Sequence, residues 1–444
     1  MSELRRDLSL LDATMINAGT MIASAIFLVP AGIAAQVHSP GLIVLVWAVG
    51  GAVSMLGALC VAELGAMFPE AGGQFAYLRE AYGPVWGFLY GWAGSVVILP
   101  ASIAAVAVGF ATYAGVFIPM QGATLKLVAV LSIVALTALN CLGVRPGALV
   151  QNLLTVLKVG AVALLVALIF VLPGGSPAHF SPLFSSDAAP GLAGRFGVAM
   201  VAALWAYDGW VEICYVGSEV KDPGRSIPRS IVWSLSLVIA VYILANVAYL
   251  YALAPGQMAA STTVASDAAR VVLGGAGALF VAAVIIISML GANNGMVLTG
   301  ARIPYAMARS GFFFRSIGTV HPRFATPVAA LLLQGTIAAL LALTGSYDQL
   351  FTYVIFASWL SYGLTAGVVI RLRRTMPAHE RPYKTWGYPL TPIAFIAFAA
   401  WLMGTTIVET PKESAIGAAI LLAGLPVYWY FRRQSPNVTA SPIQ

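Results

Sequence analysis

Long apolar runs separated by short polar punctuation fill the chain from Leu10 to Phe431. A helix crossing a bilayer needs about 20 mostly apolar residues, and a window of that size finds about 12 such segments. They fall near 12–36, 40–67, 84–117, 124–142, 148–172, 195–219, 229–254, 275–305, 326–345, 349–371, 389–408 and 413–431. The connections at 69–73, 173–190, 222–228 and 377–389 carry Pro with Gly, Asp or Ser, which is turn chemistry. An all-α integral membrane protein follows, because inside a bilayer a helix satisfies its own backbone polar groups.

Composition strengthens that reading. Of the 444 residues, 60% are hydrophobic and 9% charged; a soluble domain carries roughly 25% charged residues. The net charge of +7 raises the question of nucleic acid, and the placement of the bases answers it. With both termini on one side, that side takes 18 of the 23 Lys and Arg, while Lys126, Arg195, Arg270 and Lys412 fall on the other. This is the positive-inside pattern, and it puts both termini in the cytoplasm of a cell-membrane protein. The bases are dispersed over loops rather than gathered with aromatics, so no nucleic-acid partner is expected. Cys60, Cys141 and Cys214 lie in or beside apolar stretches and read as packing residues. The short polar N-terminus leads into a full-length apolar segment without the pattern of a cleavable signal.

Two segments are interrupted. The first reads Gly19-Thr20-Met21-Ile22-Ala23-Ser24-Ala25-Ile26-Phe27, with small residues in its middle. The sixth reads Trp205-Ala206-Tyr207-Asp208-Gly209-Trp210, with an acid and a glycine near mid-membrane. Each interruption opens a group of five spans. Corresponding breaks in two halves point to the binding site of an inverted-repeat transporter. The organisation expected is a cytoplasmic N-terminus at 1–11, a first repeat at 12–172, a second at 195–371, two further helices at 389–431 and a cytoplasmic tail at 432–444.

Four stretches carry a family resemblance. Gly19 to Phe27 is similar to G-x-x-I-G-S-G-I-F. Ala62-Glu63-Leu64 with Pro69-Glu70-Ala71-Gly72-Gly73-Gln74-Phe75-Ala76-Tyr77 is similar to A-E-L…P-x-x-G-G-x-Y-x-Y. Trp205 to Gly209 fits an aromatic–small–aromatic–x–Gly break, and Glu219-Val220-Lys221-Asp222-Pro223 to Ile227-Pro228-Arg229 fits E-V-K-x-P…I-P-R. Together they resemble the amino acid–polyamine–organocation superfamily, and within it the bacterial relatives of the L-type amino-acid transporters. The resemblance implies a LeuT-like fold of about 12 transmembrane helices, a 5+5 inverted repeat plus two C-terminal helices, with helices 1 and 6 broken. One departure is Ala23-Ser24-Ala25 where the family usually has Gly-Ser-Gly. Each added methyl narrows the backbone's freedom, which bears on pocket size.

The resemblance also implies a site. The amides of Ser24, Ala25 and Ile26, with the Ser24 hydroxyl, would hold a substrate carboxylate; the carbonyls of Met21, Trp205 and Asp208 would hold its ammonium. A broken helix offers both kinds of group. Trp205 would close over the substrate as a gate. Lys158, the one base deep in a span, would stand where sodium-coupled relatives hold an ion, so a sodium requirement is not expected. Blander roles stand beside these: small residues for close packing, Trp205 as a packing residue, Asp208 as a cap on free amides, Lys158 as a permanent structural cation. Asp208 is also a candidate for touching the ammonium or for taking a proton, since intramembrane acids suggest function by default. Glu212 lies one turn further on. Asn293, Asn294, Ser358 and Ser361 read as helix–helix hydrogen bonds rather than substrate contacts. Glu63 is expected to latch onto Arg79 or Arg229.

The function expected is sodium-independent secondary transport of neutral L-amino acids by alternating access, as an exchanger or proton-coupled. An amine, polyamine or γ-aminobutyrate permease is the alternative within transporters, and a transporter-like amino-acid sensor the alternative of another class. His38, His179, His321 and His379 all sit in loops, and no H-E-x-x-H, G-x-S-x-G or Cys/His cluster occurs, so no enzyme, metal or cofactor is expected. Neither a filter loop nor rings of charge suggest a channel. Animal L-type relatives join a heavy chain through a cysteine after span 3. Here 117–124 contains none, and no disulfide-linked partner is expected.

Overall fold

The computed structural model describes residues 3–184, 191–344 and 347–434, with backbone only at 347–356. The last residues of the expected tail, 435–444, and part of the 173–190 connection lie outside the described residues. Among the described residues the ordered elements are helices, with no strand. Eight are long and apolar enough to cross a membrane, and the bent pair Leu10–Met21 and Ala25–Val37 makes a ninth span. Leu192–Ala206 and Val328–Thr344 are shorter apolar helices, and Tyr347–Thr375 runs for 29 residues. Pro40, Pro84, Pro223 and Pro411 each open a helix, where the missing N–H costs nothing.

The helices turn a lipid-compatible face outward and a mixed face inward. In Val144–Val171, Leu149, Leu153, Val156 and Leu164 are exposed, whereas Gln151, Thr155, Lys158 and Val162 are buried. The buried set recurs at steps of three or four residues and the exposed set at such steps or a double one, so one helix sorts its apolar bulk to the outside and its polar groups to the bundle. The same arrangement leaves large aliphatic side chains exposed elsewhere, at Leu127, Leu131, Leu332 and Leu340 for example.

The two interrupted segments are interrupted in the fold. The first half-helix ends at Met21, the second begins at Ala25, and the axes differ by 44°. Leu192–Ala206 gives way to an irregular turn before the short helix Glu212–Tyr215. Gly209 holds φ at 113°, and a side chain there would also press on Met21. Asn17 of the first half-helix braces this turn: its side-chain amide donates to the Trp210 carbonyl (3.1 Å) and to Ser234 (2.9 Å), and its oxygen accepts from the Ile213 amide (3.3 Å).

The end of the bundle that carries the N-terminal segment is tied shut. Leu8 pairs through its backbone with Glu219 and Lys221. Arg302 grips Glu219 with two bonds of 2.7 and 3.0 Å, both side chains wholly buried, and also donates to the Leu298 carbonyl. Glu63 is held by Arg373 at 2.6 and 3.0 Å and by the Thr385 amide at 2.6 Å, with Arg381 at 3.5 Å. The expected partners Arg79 and Arg229 are therefore corrected to Arg373 and Arg381. Glu63 sits one turn inside a helix that ends at Met67 and is 1% exposed, so it faces the crossing helix Tyr347–Thr375 and the connection after it rather than the loop that follows its own helix. Arg79 instead donates to Ser310 and lies 4.0 Å from Glu70.

Candidate substrate site

The two breaks face one another across a cavity of about 290 Å³. Met21, Ser24, Ala25, Trp205 and Asp208 line it; Ile26 is fully buried and Lys158 lies behind the first break. The helix starting at Ala25 leaves its leading amides unclaimed. Those of Ser24, Ala25 and Ile26 donate to no backbone group among the described residues, and Ser24 makes no side-chain cap bond. Free amides at a helix start attract anions through both hydrogen bonding and the helix dipole.

The carbonyls on the other side of the break are mostly taken. Met21 accepts from the Ala23 amide (3.0 Å) and from Tyr242 (2.9 Å), and Trp205 accepts from the Asp208 amide (3.1 Å). The Tyr242 hydroxyl also stands 3.1 Å from the Ala206 carbonyl, bridging the two breaks. The Thr20 carbonyl, beside the cavity, accepts no hydrogen bond among the described residues. The Asp208 carboxylate accepts from Tyr362 at 2.6 Å, so its side chain turns across the cavity; of the amides that open the second half-helix, that of Ile213 is bonded to Asn17.

Lys158 serves the first break from behind. Its ammonium donates to Gly19 (2.9 Å), Ile22 (2.8 Å) and Ser288 (2.8 Å) carbonyls, using all three hydrogens. The Ser288 hydroxyl reaches the Ile22 and Ala23 carbonyls at 2.9 and 3.0 Å. Lys158 fits because position 291 is glycine, where a side-chain carbon would sit 2.7 Å from the ammonium. Sequence reasoning missed Ser288, Gly291, Tyr242 and Asn17. Ser288, Gly291 and Gly295 recur at helical spacing, and that small-residue face on Gly275–Arg309 was the available signal.

Below Trp205 and Asp208, Tyr215 forms part of the cavity wall and bonds Tyr90 (2.6 Å) and Gln74 (3.3 Å); Gln74 continues to Thr365 (2.9 Å). The loop motif at 69–77 is thereby joined to the site. Of the polar residues assigned to packing, Asn294 does bond between helices, to Gly147 (3.0 Å) and Gln151 (2.8 Å), whereas Ser358 lines the cavity.

The sequence pattern of the family described as amino acid permease matches residues 8–431. The chain belongs to that family. The permease is 34% identical to the b(0,+)-type amino acid transporter 1 of Mus musculus, across 97% of its own length and 88% of that protein. It is 31% identical to the serine/threonine exchanger SteT of Bacillus subtilis (strain 168), across 98% of both. With the large neutral amino acids transporter small subunit 2 of Homo sapiens it shares 34% identity, across 96% of its length and 80% of the relative. The superfamily and L-type resemblance carried by the four motifs therefore holds, and the permease is a multi-pass helical membrane protein.

Proposed function

We propose that the permease exchanges neutral L-amino acids across the cytoplasmic membrane, independently of sodium, by alternating access between two five-span repeats. The observation that carries the reading is the set of unclaimed amides at Ser24, Ala25 and Ile26, set beside a cavity whose far wall is the second break. They suit an α-carboxylate. The ammonium would find the Thr20 and Asp208 carbonyls and, on displacing their present partners, those of Met21 and Trp205. The rest of the lining is largely small and apolar, with Ile98, Ala105, Val106 and Met289 suited to a neutral side chain. Trp205, at the cavity edge, is the proposed gate.

Independence from sodium is supported by Lys158, whose ammonium already holds three carbonyls around the first break. The names of the relatives support exchange: one is a serine/threonine exchanger. Both termini are proposed to be cytoplasmic on the strength of the basic loops. Action without a disulfide-linked partner is proposed because 117–124 lacks cysteine. An amine substrate is the second reading, favoured by the two carboxylates, Asp208 and Glu212, at the cavity.

The test is uptake of radiolabelled alanine, serine, leucine and phenylalanine into sodium-free liposomes holding purified protein. Uptake that requires unlabelled amino acid inside is the expected result. Uptake equal in empty vesicles would replace exchange by uniport or proton coupling. No amino-acid uptake, with uptake of putrescine or γ-aminobutyrate, would put the amine reading first.

A further inference from the structure

One cavity-lining carboxyl has no part in the neutral amino-acid exchange proposed above. Glu212 opens the short helix after the second break and is 6% exposed. Its Oε2 is in hydrogen-bond contact with the Thr299 hydroxyl. The same hydroxyl stands 2.9 Å from the Gly295 carbonyl, one turn back along its own helix. A threonine hydroxyl carries one hydrogen, and a carbonyl oxygen carries none. One hydrogen cannot serve both contacts, and of the two partners the carbonyl has none to give, whereas a carboxylic acid at Glu212 has one.

The surrounding charges argue the same way. Asp208 lies in the turn before Glu212, and Cys214 and Tyr215 follow it on its own helix. Tyr90 comes from Pro84–Ala114, Tyr362 from Tyr347–Thr375 and Tyr242 from Pro223–Ala252, and none of these is a cation. Gly275–Arg309 contributes Thr299, and its Arg302 is engaged by Glu219. On the first half-helix the titratable group is Asp12, bonded to Ser9 and Asn152 at the far end, and Lys158 behind it serves three carbonyls. An ionised Glu212 would be a buried anion next to the Asp208 carboxyl, with no counter-cation among these groups. A carboxyl so placed takes up a proton instead.

We propose that Glu212 is the proton site of the cavity, and that its protonation permits a neutral amino acid to be carried. When the cavity is open, the carboxylate takes one proton from hydronium in the bathing solution, leaving water and forming the acid that donates to Thr299. A bound zwitterion brings no net charge, so it leaves an ionised Glu212 uncompensated. Exchange of neutral substrates therefore proceeds through the protonated form. This rests on the exchange reading above.

The test uses the full chain in liposomes, as wild type, Glu212→Gln and Thr299→Val, with pH equal inside and out. The infrared spectrum of the wild type should contain the carbonyl stretch of a protonated carboxylic acid that Glu212→Gln lacks and that Thr299→Val shifts. Exchange of labelled serine by the wild type should fall at least tenfold as pH rises through the titration of Glu212, while Glu212→Gln should exchange equally fast across the range. The same infrared spectrum in wild type and Glu212→Gln, or the same pH profile, would overturn the proposal. So would a thermally stable Glu212→Gln that loses serine exchange at every pH, since the carboxylate itself would then be required; labelled lysine is the probe for that case. If Glu212→Gln does not fold, Thr299→Val decides: a displaced pH profile supports the proposal and an unchanged one overturns it. If the wild type exchanges no amino acid, the exchange reading fails, and the infrared band alone judges the proton assignment.

Discussion

A single missing methyl decides whether Lys158 reaches the broken helix. Its ammonium is buried among three carbonyls, and Gly291 leaves the space it needs. The substitution Gly291→Ala drives the ammonium off at least one carbonyl. Each hydrogen bond from a charged donor contributes about 1.5–3 kcal/mol. The expected result is a lowered melting temperature in detergent and amino-acid exchange reduced at least tenfold, both measurable on purified protein. Unchanged exchange would mean that Lys158 can serve the break from another position. The lysine itself was legible in the sequence as a lone base in a span. Its glycine was legible only as part of a small-residue face; that this face meets Lys158 depends on how two spans far apart in the chain cross, which their local pattern does not record.

At the scale of elements, the two breaks were legible because each violates the apolar pattern with small residues or an acid. What the sequence hid is how they are held together. Asn17 sits in an apolar run with nothing nearby to suggest a partner, yet its amide satisfies the carbonyl of Trp210 and the N–H of Ile213. The two interrupted helices are thereby joined by one side chain, so a displacement of the first half-helix carries the 207–211 turn with it. Replacing Asn17 by Leu leaves two buried backbone groups unpaired, at about 1–3 kcal/mol each. KM for the exchanged amino acid should rise several-fold, because the cavity walls lose their fixed relation, and an Asn17→Gln variant should recover part of it. A loss of thermal stability with KM unchanged would reduce Asn17 to a packing role. Helix boundaries show the same division: apolar length located Pro40–Met67 and Ala123–Cys141 closely, while the start at Leu10 depends on the mutual capping of Ser9 and Asp12.

For the whole molecule, the question is why the closed end uses ions at all. Arg302 and Glu219 are fully buried, and breaking a buried pair by removing one partner costs about 3–5 kcal/mol. Replacing both partners by apolar residues of similar volume is often neutral or stabilising. Stability alone therefore gives no reason to keep the charges. A transporter has a different requirement: this end must open to water, where two separated ions regain their hydration and two apolar side chains do not. Glu219→Gln should lower the melting temperature and expose the interior. Cys214, 1% exposed beside this region, reports it: with Cys60 and Cys141 replaced by Ala, its labelling by a maleimide should quicken about tenfold if the open state gains about 1.4 kcal/mol. The double substitution Glu219→Leu with Arg302→Met separates the two roles. It should restore the melting temperature, keep Cys214 protected and abolish exchange, because the closed end would no longer gain hydration on opening. If the double variant exchanges amino acids as fast as the wild type, the buried pair is not the latch of the transport cycle.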